Sequence, residues 1–213
     1  MKRTIKKVAV LGSGVMGSRI ACHFANIGVE VLLLDIIPRE LSDEDKKKGI
    51  KKEDKVFRNR IVDNSLKAAL KSKPSPIFHK EYASRIETGN FDDDMSKISN
   101  CDWTIEVVVE NNDIKRKVFD QVEKYRSKGS LITSNTSGIP MHLMCEGRSE
   151  DFQKNFAGTH FFNPPRYLEL LEIIPGPKSD QDVIDFLMSY GSKFLGKTTV
   201  PCKDTPAFIA NRV

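Results

Sequence analysis

Near its start the chain reads Val8-Ala9-Val10-Leu11-Gly12-Ser13-Gly14-Val15-Met16-Gly17, and a second apolar run follows, Val31-Leu32-Leu33-Leu34-Asp35. A short apolar strand leads into three glycines with the spacing G-x-G-x-x-G, and the next strand ends in an acid. This order is typical of the phosphate-binding turn of a dinucleotide-binding βαβ unit. The sequence therefore predicts a Rossmann-type α/β domain.

Each glycine has a mechanical reason in such a turn. Gly12 permits the tight turn, Gly14 lets the main chain approach a pyrophosphate, and Gly17 lets the helix pack closely on the strand. The helix presents unpaired N–H groups and a partial positive charge to the phosphates. The residues expected to hold the dinucleotide here are Gly12, Gly14, Val15, Met16 and Gly17.

Asp35 indicates which dinucleotide binds. It lies eighteen residues after Gly17, about where a carboxylate accepts the ribose hydroxyls of NAD. The same charge would repel the 2′-phosphate of NADP, so NAD is the expected cofactor. The positive charge of Arg39 nearby would attract that phosphate and so weaken the preference for NAD. The alternative is that Asp35 simply ends a strand.

Length and composition are typical of one globular α/β unit. The chain has 213 residues, of which 39% are hydrophobic and 30% charged, which argues against disorder and against a membrane protein. The basic N-terminus leads straight into a strand and is not a secretory signal. Scattered cysteines without a C-x-x-C pair predict reduced thiols in a cytoplasmic protein with no metal site: Cys22, Cys101, Cys145 and Cys202.

Apolar runs and helical periodicity alternate along the chain. This alternation predicts a doubly wound, mostly parallel sheet covered by helices on both faces. One helix is expected over residues 114–125 and another over 179–195, where Ser179 is the predicted N-cap. Strands are expected at residues 7–11, 30–35, 84–88, 103–109, 131–133, 156–162 and 170–174.

An insertion at residues 39–80, the basic arm, differs from the rest of the chain. It contains thirteen Lys or Arg and seven Asp or Glu, so its net charge of +6 exceeds the +5 of the whole chain. Apolar residues recur at helical spacing before Pro74 and Pro76. Three interpretations stay open: a solvated helical hairpin, an arm that meets a phosphorylated ligand, and a nucleic-acid surface, for which no recognition motif is present.

Polar residues follow three apolar strands of the second half, at residues 106–111, 134–137 and 158–164. Ligands bind at the carboxyl edge of a doubly wound sheet, so we expect these segments to line the site. His160 is followed by two Phe residues that would exclude water. Its neutral imidazole could remove a hydroxyl proton near pH 7 if Glu172, on the next strand, orients it. The alternative is a core histidine with satisfied hydrogen bonds.

These segments, in this order, give the chain a specific resemblance. From Val8 onward it resembles the N-terminal domain of the L-3-hydroxyacyl-CoA dehydrogenases, enzymes of fatty acid β-oxidation. The resemblance implies the NAD-dependent oxidation of a (3S)-3-hydroxyacyl-CoA to the 3-oxoacyl-CoA. It rests on the glycine turn with Asp35, the E-x-V-x-E-N segment, Ser134-Asn135-Thr136-Ser137, His160-Phe161-Phe162-Asn163-Pro164, Glu172, and the run from Cys202 to Arg212.

The resemblance also implies the site residues. His160 matches the catalytic base and Glu172 the carboxylate that holds it, while Ser137 and Asn211 match side chains that grip the reacting oxygen. The positions that match those near the nicotinamide and its ribose are Glu110, Lys115, Asn135, Ser137 and Asn163. A helical hairpin lies against coenzyme A in this family, so the basic arm is expected to contact CoA phosphates through Ser65, Lys71 and Lys73.

The chain departs from the family pattern in two places. Relatives have a Pro-Val-Pro-type stretch where this chain has Pro164-Pro165-Arg166-Tyr167, so we expect an unusual chain-length or head-group preference. Family members also continue into an all-helical domain that completes the acyl pocket and forms a homodimer. We therefore expect an NAD-binding domain at residues 1–200 and, at 201–213, the start of a linker to a helical domain absent here. Such an isolated domain would bind NAD with little activity, with Asn211 in a fraying terminus.

Two other functions are compatible with the scaffold. A sugar-acid dehydrogenase of the L-gulonate type is built on the same fold, but a free sugar acid has no need of the basic arm. A non-catalytic NAD-binding module would not need His160, Glu172, Ser137 and Asn211 together. An acyl-CoA is therefore the expected partner, with neither nucleic acid nor a membrane.

Overall fold

In the computed structural model, which describes residues 3–212, the central element is an eight-stranded sheet. The strand order is β3-β2-β1-β4-β5-β6-β7-β8, and every neighbouring pair is parallel except β6 and β7. The predicted doubly wound, mostly parallel fold is confirmed. The strands are β1 (Lys7–Leu11), β2 (Glu30–Asp35), β3 (Ile86–Asn90), β4 (Trp103–Glu106), β5 (Leu131–Ser134), β6 (Phe156–Phe161), β7 (Leu170–Pro175) and β8 (Thr198–Pro201).

Helices cover both faces of the sheet. They are α1 (Val15–Asn26), α2 (Asp43–Lys47), α3 (Lys55–Arg58), α4 (Arg60–Lys71), α5 (Phe91–Asp94), α6 (Asn112–Tyr125), α7 (Met141–Cys145), α8 (Glu150–Lys154) and α9 (Gln181–Lys193). Helices α1, α4 and α9 pack on one face, and α6, α7 and α8 pack on the other. Within residues 3–212, no helix combines the length and the apolar character needed to cross a bilayer.

Aromatic side chains fill both cores. On the α1 face, Trp103 packs edge-to-face on Phe24 and Tyr190, with ring centroids 5.3 and 5.8 Å apart. On the other face, Phe119 of α6 meets Phe152 of α8 at 5.7 Å. Replacing one such buried ring by Ala costs about 3–5 kcal/mol. These contacts fix the helices on the sheet, so the strand ends form a rigid platform.

Two of the three motif glycines are required by the protein itself. Gly12 has a φ of +106°, and a Cβ there would lie 2.6 Å from the carbonyl oxygen of Val107. A Cβ on Gly17 would lie 1.8 Å from the carbonyl oxygen of Gly12. The glycine turn and the N-terminal end of α1 can therefore pack together only if residues 12 and 17 carry no side chain.

The basic arm contains three helices rather than the expected two-helix hairpin. The Asp45 carboxylate pairs with the Arg60 guanidinium and joins α2 to α4. Hydrogen bonds from Arg60 hold the pKa of Asp45 well below its usual range. Val62 and Leu66 of α4 pack into the core beside α1. The apolar side of α4 thus docks the arm on the domain.

Several element boundaries predicted from the sequence differ from the observed ones, and β8 was not predicted. A 3₁₀ turn delays the start of β3, and β4 ends early because the Glu106 carboxylate binds the N–H of Val108 at 2.7 Å. Helix α9 begins after Asp180, so Ser179 is not its N-cap. The Ser179 hydroxyl instead donates to the carbonyl oxygen of Phe156.

Candidate active site

The carboxyl ends of β1, β4, β5 and β6 meet at one edge of the sheet and form a cleft with two connected cavities. A cavity of about 580 Å³ extends from the glycine turn to Asp35, and one of about 470 Å³ extends to His160. Gly14 and residues 107–109 line both, so the cleft runs across the glycine turn. The predicted residues that line the second cavity are Gly14, Val15, Met16, Glu110, Asn135, Ser137, His160 and Asn163.

The glycine turn is shaped to receive a ligand. A Cβ on Gly14 would meet no protein atom within 4 Å, so the protein itself does not require glycine there. Helix α1 begins at Val15 without a side-chain cap and without an acidic residue in its first turn. Its first N–H groups and the positive end of its dipole therefore face the cleft. A diphosphate fits this cradle, and it would exclude a side chain at Gly14.

Asp35 faces the far end of the cleft rather than merely ending a strand. One carboxylate oxygen accepts hydrogen bonds from the N–H and the hydroxyl of Ser13, at 2.6 and 2.5 Å. The other accepts from the N–H of Ile36 at 2.7 Å. Arg39 lines the same cavity. These bonds hold the carboxylate beside the glycine turn, where a ribose hydroxyl could join or replace the Ser13 contact.

A buried ion pair supports the loop after β4. Lys115 donates to both oxygens of Glu106, at 2.8 and 3.0 Å, and the Ser134 hydroxyl donates to one of them at 2.5 Å. Burial raises the pKa of Glu106, and the charge of Lys115 opposes that rise. Lys115 is 1% exposed. It therefore supports the loop after β4 from the interior and does not line the cleft, as its match to a position near the nicotinamide had suggested.

Glu110 lies at the rim of the cleft. Its carboxylate accepts from the Thr136 hydroxyl and from the N–H of Ser137 at 3.0 Å, and it lies 3.3 Å from the Lys115 ammonium. Burial alone would raise the pKa of Glu110, but the Thr136 hydrogen bond and the Lys115 charge outweigh it and lower the pKa. Glu110 is therefore ionised at neutral pH and fixes the turn that presents the exposed Ser137.

His160 and Glu172 face each other across the antiparallel pair β6 and β7. The strand register places them directly opposite, and His160 Nδ1 lies 2.8 Å from one Glu172 oxygen. Both residues are buried. Because a carboxylate accepts this hydrogen bond, we assign the proton of the neutral ring to Nδ1, and Nε2 keeps its lone pair. The pair can therefore present a base to the cleft.

The other oxygen of Glu172 anchors the C-terminal segment. It accepts hydrogen bonds from the N–H groups of Ile209 and Ala210, at 3.2 and 2.8 Å. Phe208 is 2% exposed, with its ring centroid 5.8 Å from that of His160. A buried ring and a buried carboxylate therefore hold the segment as far as Ala210, and the expected fraying at Asn211 stays a prediction.

Three amide side chains surround the His160–Glu172 pair. Asn135 accepts an N–H from β6 at 2.9 Å, and Asn163 accepts from Arg19 at 2.5 Å. Asn211 lies 3.5 Å from the carbonyl oxygen of Ser137 and donates to it. The structure thus brings together the four predicted catalytic residues His160, Glu172, Ser137 and Asn211.

The residues expected to meet CoA phosphates lie on or just after α4. Ser65 lines a cleft of about 340 Å³ between α4 and the start of α1, together with Arg19. Lys71 and Lys73 are exposed where α4 ends. The arm thus offers a hydroxyl near the glycine turn and two ammonium groups to solvent.

Sequence reasoning missed three residues that shape the cleft. Ser13 holds Asp35, Thr136 holds Glu110, and Arg19 holds Asn163. Ser13 and Thr136 lie inside the quoted motifs, whereas the signal for Arg19 is that it is the only Arg or Lys of helix α1. In the part of the chain that the structure describes, no three His, Cys, Asp or Glu residues are placed to hold a metal ion.

Comparison with known proteins identifies the family. The family described as 3-hydroxyacyl-CoA dehydrogenase, NAD binding domain, matches residues 7–205. A probable 3-hydroxyacyl-CoA dehydrogenase of Bacillus subtilis is 52% identical over 213 residues, which are 100% of this chain and 27% of that protein. A protein of the same name from Deinococcus radiodurans is 45% identical over 98% of this chain and 56% of its own length.

A solved structure shares the fold. The (S)-3-hydroxybutyryl-CoA dehydrogenase of Ralstonia eutropha superposes with a TM-score of 0.73 at 28% identity, covering 99% of this chain and 68% of that one. The chain spans between about a quarter and just over half of the two curated relatives above. It belongs to the family of NAD-binding domains of the 3-hydroxyacyl-CoA dehydrogenases.

Proposed function

We propose that this chain supplies the NAD-binding and catalytic half of an enzyme that oxidises (3S)-3-hydroxyacyl-CoA to 3-oxoacyl-CoA in fatty acid β-oxidation. The observation that carries the proposal is the buried His160–Glu172 pair, which faces the same cleft as the glycine turn. The names of the relatives support the substrate class. A glycine turn alone would support only dinucleotide binding.

His160 acts as the base for the substrate hydroxyl. Its Nε2 takes the hydroxyl proton while Nδ1–H stays on the Glu172 carboxylate, 2.8 Å away. The ring then carries a positive charge, which the adjacent carboxylate stabilises. Phe162 and Phe208, with ring centroids 4.4 and 5.8 Å from the imidazole, limit access of water and strengthen that interaction.

Ser137 and Asn211 hold the reacting oxygen. Ser137 lies at the cleft with its N–H fixed on Glu110, and the Asn211 amide lies 3.5 Å from its carbonyl oxygen. Donors that are fixed before the reaction stabilise charge on an oxygen without having to reorganise. In this proposal the Ser137 hydroxyl and the Asn211 amide donate to the substrate oxygen from which His160 takes the proton.

The residues along the cleft fit NAD. The main-chain N–H groups of Val15 and Met16 would hold the diphosphate, Asp35 the adenosine ribose, and Glu110 and Asn163 the nicotinamide end. When bound, NAD supplies the hydride acceptor. The Asp35 charge supports NAD over NADP, since a 2′-phosphate would meet a carboxylate already beside the glycine turn.

Activity of the full-length protein tests the proposal. We expect oxidation of 3-hydroxybutyryl-CoA with NAD and reduction of acetoacetyl-CoA with NADH, both followed by NADH absorbance. Oxidation of L-gulonate without turnover of either thioester would refute the proposal in favour of a sugar-acid dehydrogenase. Binding of NAD without turnover of any of these substrates would refute it in favour of a non-catalytic module.

We further propose that the full-length protein is a homodimer in a reducing compartment such as the cytoplasm. The resemblance to dimeric dehydrogenases supports the dimer. The four cysteines are free and buried, and burial raises the pKa of Cys22 and Cys101 to about 12, which suits a compartment where thiols stay reduced. Light scattering and cell fractionation test the two statements. A monomer contradicts the first, and an oxidising compartment contradicts the second.

A further inference from the structure

The loop between β6 and β7 grips the basic arm. Arg166 Nη1 donates to the carbonyl oxygens of Ser75 and Ile77, at 2.8 and 3.2 Å. The Tyr167 hydroxyl donates to the same Ser75 oxygen at 3.0 Å. We call this set of contacts the loop–arm junction. The two side chains that depart from the family pattern thus contact the arm.

Arg166 is stacked as well as hydrogen-bonded. Its guanidinium carbon lies 4.2 Å from the centroid of Phe78 and 5.0 Å from that of Tyr167. A planar guanidinium can stack on rings while it donates hydrogen bonds in its own plane, and a lysine ammonium cannot do both. The loop–arm junction therefore depends on arginine at this position rather than on a positive charge alone.

The same loop connects the junction to the catalytic cavity. Lys197 fixes the loop from beneath by donating to the carbonyl oxygens of Pro165 and Leu168. At the start of the loop, Asn163 lines the cavity that contains His160. A rigid connection therefore runs from the arm, through Arg166, to the cavity.

The arm is also attached independently of the loop, by the packing of α4 on the core and by hydrogen bonds to α1. Asn26 of α1 donates to the carbonyl oxygen of Pro76 at 2.9 Å and accepts the N–H of Phe78 at 2.8 Å. Removing the Arg166 side chain thus leaves the arm attached to α1. It removes the two Arg166 hydrogen bonds between the arm and the loop and leaves the Tyr167 bond to Ser75.

We propose that Arg166 is a positioning residue that fixes the arm relative to the catalytic cavity and makes turnover depend on the nucleotide end of the thioester. This inference rests on the proposed function, in which the arm meets the CoA phosphates and His160 meets the hydroxyl. Binding of a remote part of a substrate aligns the reacting carbon only if the two regions are rigidly joined. Arg166 donates two of the three hydrogen bonds that join the loop to the arm.

The test compares two substrates in the full-length protein. One is 3-hydroxybutyryl-CoA, and the other is the 3-hydroxybutyryl thioester of N-acetylcysteamine, which lacks the nucleotide. We expect Arg166→Ala to lower kcat/KM for the CoA thioester about tenfold, as loss of charge-assisted hydrogen bonds implies. The kcat/KM for the short thioester and the KM for NAD should stay unchanged. Arg166→Lys should not restore the CoA preference, because it keeps only the charge.

Arg85 provides a matched control. Its guanidinium donates to the carbonyl oxygen of Ala25 at 2.6 Å and lies 4.3 Å from the centroid of Tyr82, so it makes the same kinds of contact as Arg166. It contacts α1 and not the loop after β6. We expect Arg85→Ala to leave the ratio of kcat/KM for the two thioesters unchanged.

The outcomes separate this inference from the proposed function. An Arg166→Ala protein that loses kcat/KM equally for both thioesters, or for neither, refutes the positioning role while the proposed function stands. The same ratio change in Arg85→Ala also refutes it. If the wild-type protein turns over neither thioester, the proposed function fails and the positioning role fails with it.

Discussion

Replacing Glu172 by Gln exchanges one oxygen of a buried carboxylate for an NH₂ group at nearly constant volume. One Glu172 oxygen faces His160 Nδ1, and the other accepts the N–H groups of Ile209 and Ala210. A carboxamide has a single acceptor oxygen, so in either orientation its NH₂ group faces a donor. If it faces His160, the ring must carry its proton on Nε2 and is no longer a base. If it faces Ile209 and Ala210, those N–H groups lose their acceptor.

Both orientations have a calculable cost. In the orientation that turns the NH₂ group toward Ile209 and Ala210, two buried donors lose their acceptor at about 1–3 kcal/mol each, so the free energy of unfolding should fall by about 2 kcal/mol or more. In the orientation that turns it toward His160, those two bonds remain and the base is lost. Loss of the general base lowers kcat by about 10² to 10⁴, and exchanging the carboxylate beside a catalytic histidine for an amide lowers kcat by about 10⁴ in a Ser-His-Asp triad. NAD affinity should be unchanged, because Glu172 lies outside the residues that line the glycine turn.

The assay is steady-state turnover of 3-hydroxybutyryl-CoA together with urea unfolding of the same Glu172→Gln protein. Glu30→Gln is the control, since Glu30 is an exposed carboxylate at the start of β2 and its neutralisation should change neither quantity. Near-wild-type kcat in Glu172→Gln would refute the proposed role of the carboxylate. Wild-type stability together with wild-type kcat would refute the anchoring of the C-terminal segment as well, because each orientation of the amide removes one of the two.

Three further predictions concern the cofactor and the core. Gly14→Ala should fold normally, because its Cβ meets no protein atom within 4 Å. Calorimetry should nevertheless show that this variant binds NAD at least about tenfold more weakly. Gly17→Ala should instead disrupt the fold. Asp35→Asn should narrow the preference for NAD over NADP in the same titration, and equal wild-type affinities would exclude that role for Asp35. Burial lowers the pKa of His23 from 6.5 to about 4, so the unfolded chain takes up that proton first as pH falls. Urea unfolding should therefore show that about 3 kcal/mol of stability is lost between pH 6.5 and 4 because of His23. The loss should be smaller in His23→Gln, and identical pH profiles for the variant and the wild-type protein would contradict this prediction.

Local patterns predicted the parts of the site that depend on short stretches of chain. The glycine turn has a fixed spacing because Gly12 and Gly17 meet main-chain atoms that leave no room for a Cβ. The His160–Glu172 pair was predictable because both lie on consecutive buried strands, and their antiparallel register brings them opposite each other.

Contacts between distant stretches had no local signal. Arg166 meets Ser75 across 91 residues, and nothing near either residue in the sequence indicates the other. The resemblance matched Lys115 to a position near the nicotinamide, but nothing local indicated that an ion pair with Glu106 would bury it. Ser179 matched a capping pattern, yet its hydroxyl donates to the carbonyl oxygen of Phe156 in β6. Capping rules consider only neighbouring residues, so they do not predict a bond to a distant strand.

The most direct test of the central claim, that His160 removes the proton of the substrate hydroxyl, is the kcat of His160→Ala in the full-length protein, measured together with its NAD affinity. His160 lines the smaller cavity, at the end of the cleft proposed for the nicotinamide, whereas Asp35 lines only the larger one. The account predicts a fall in kcat of about 10² to 10⁴ with NAD affinity nearly unchanged. Near-normal turnover of 3-hydroxybutyryl-CoA by His160→Ala would contradict it.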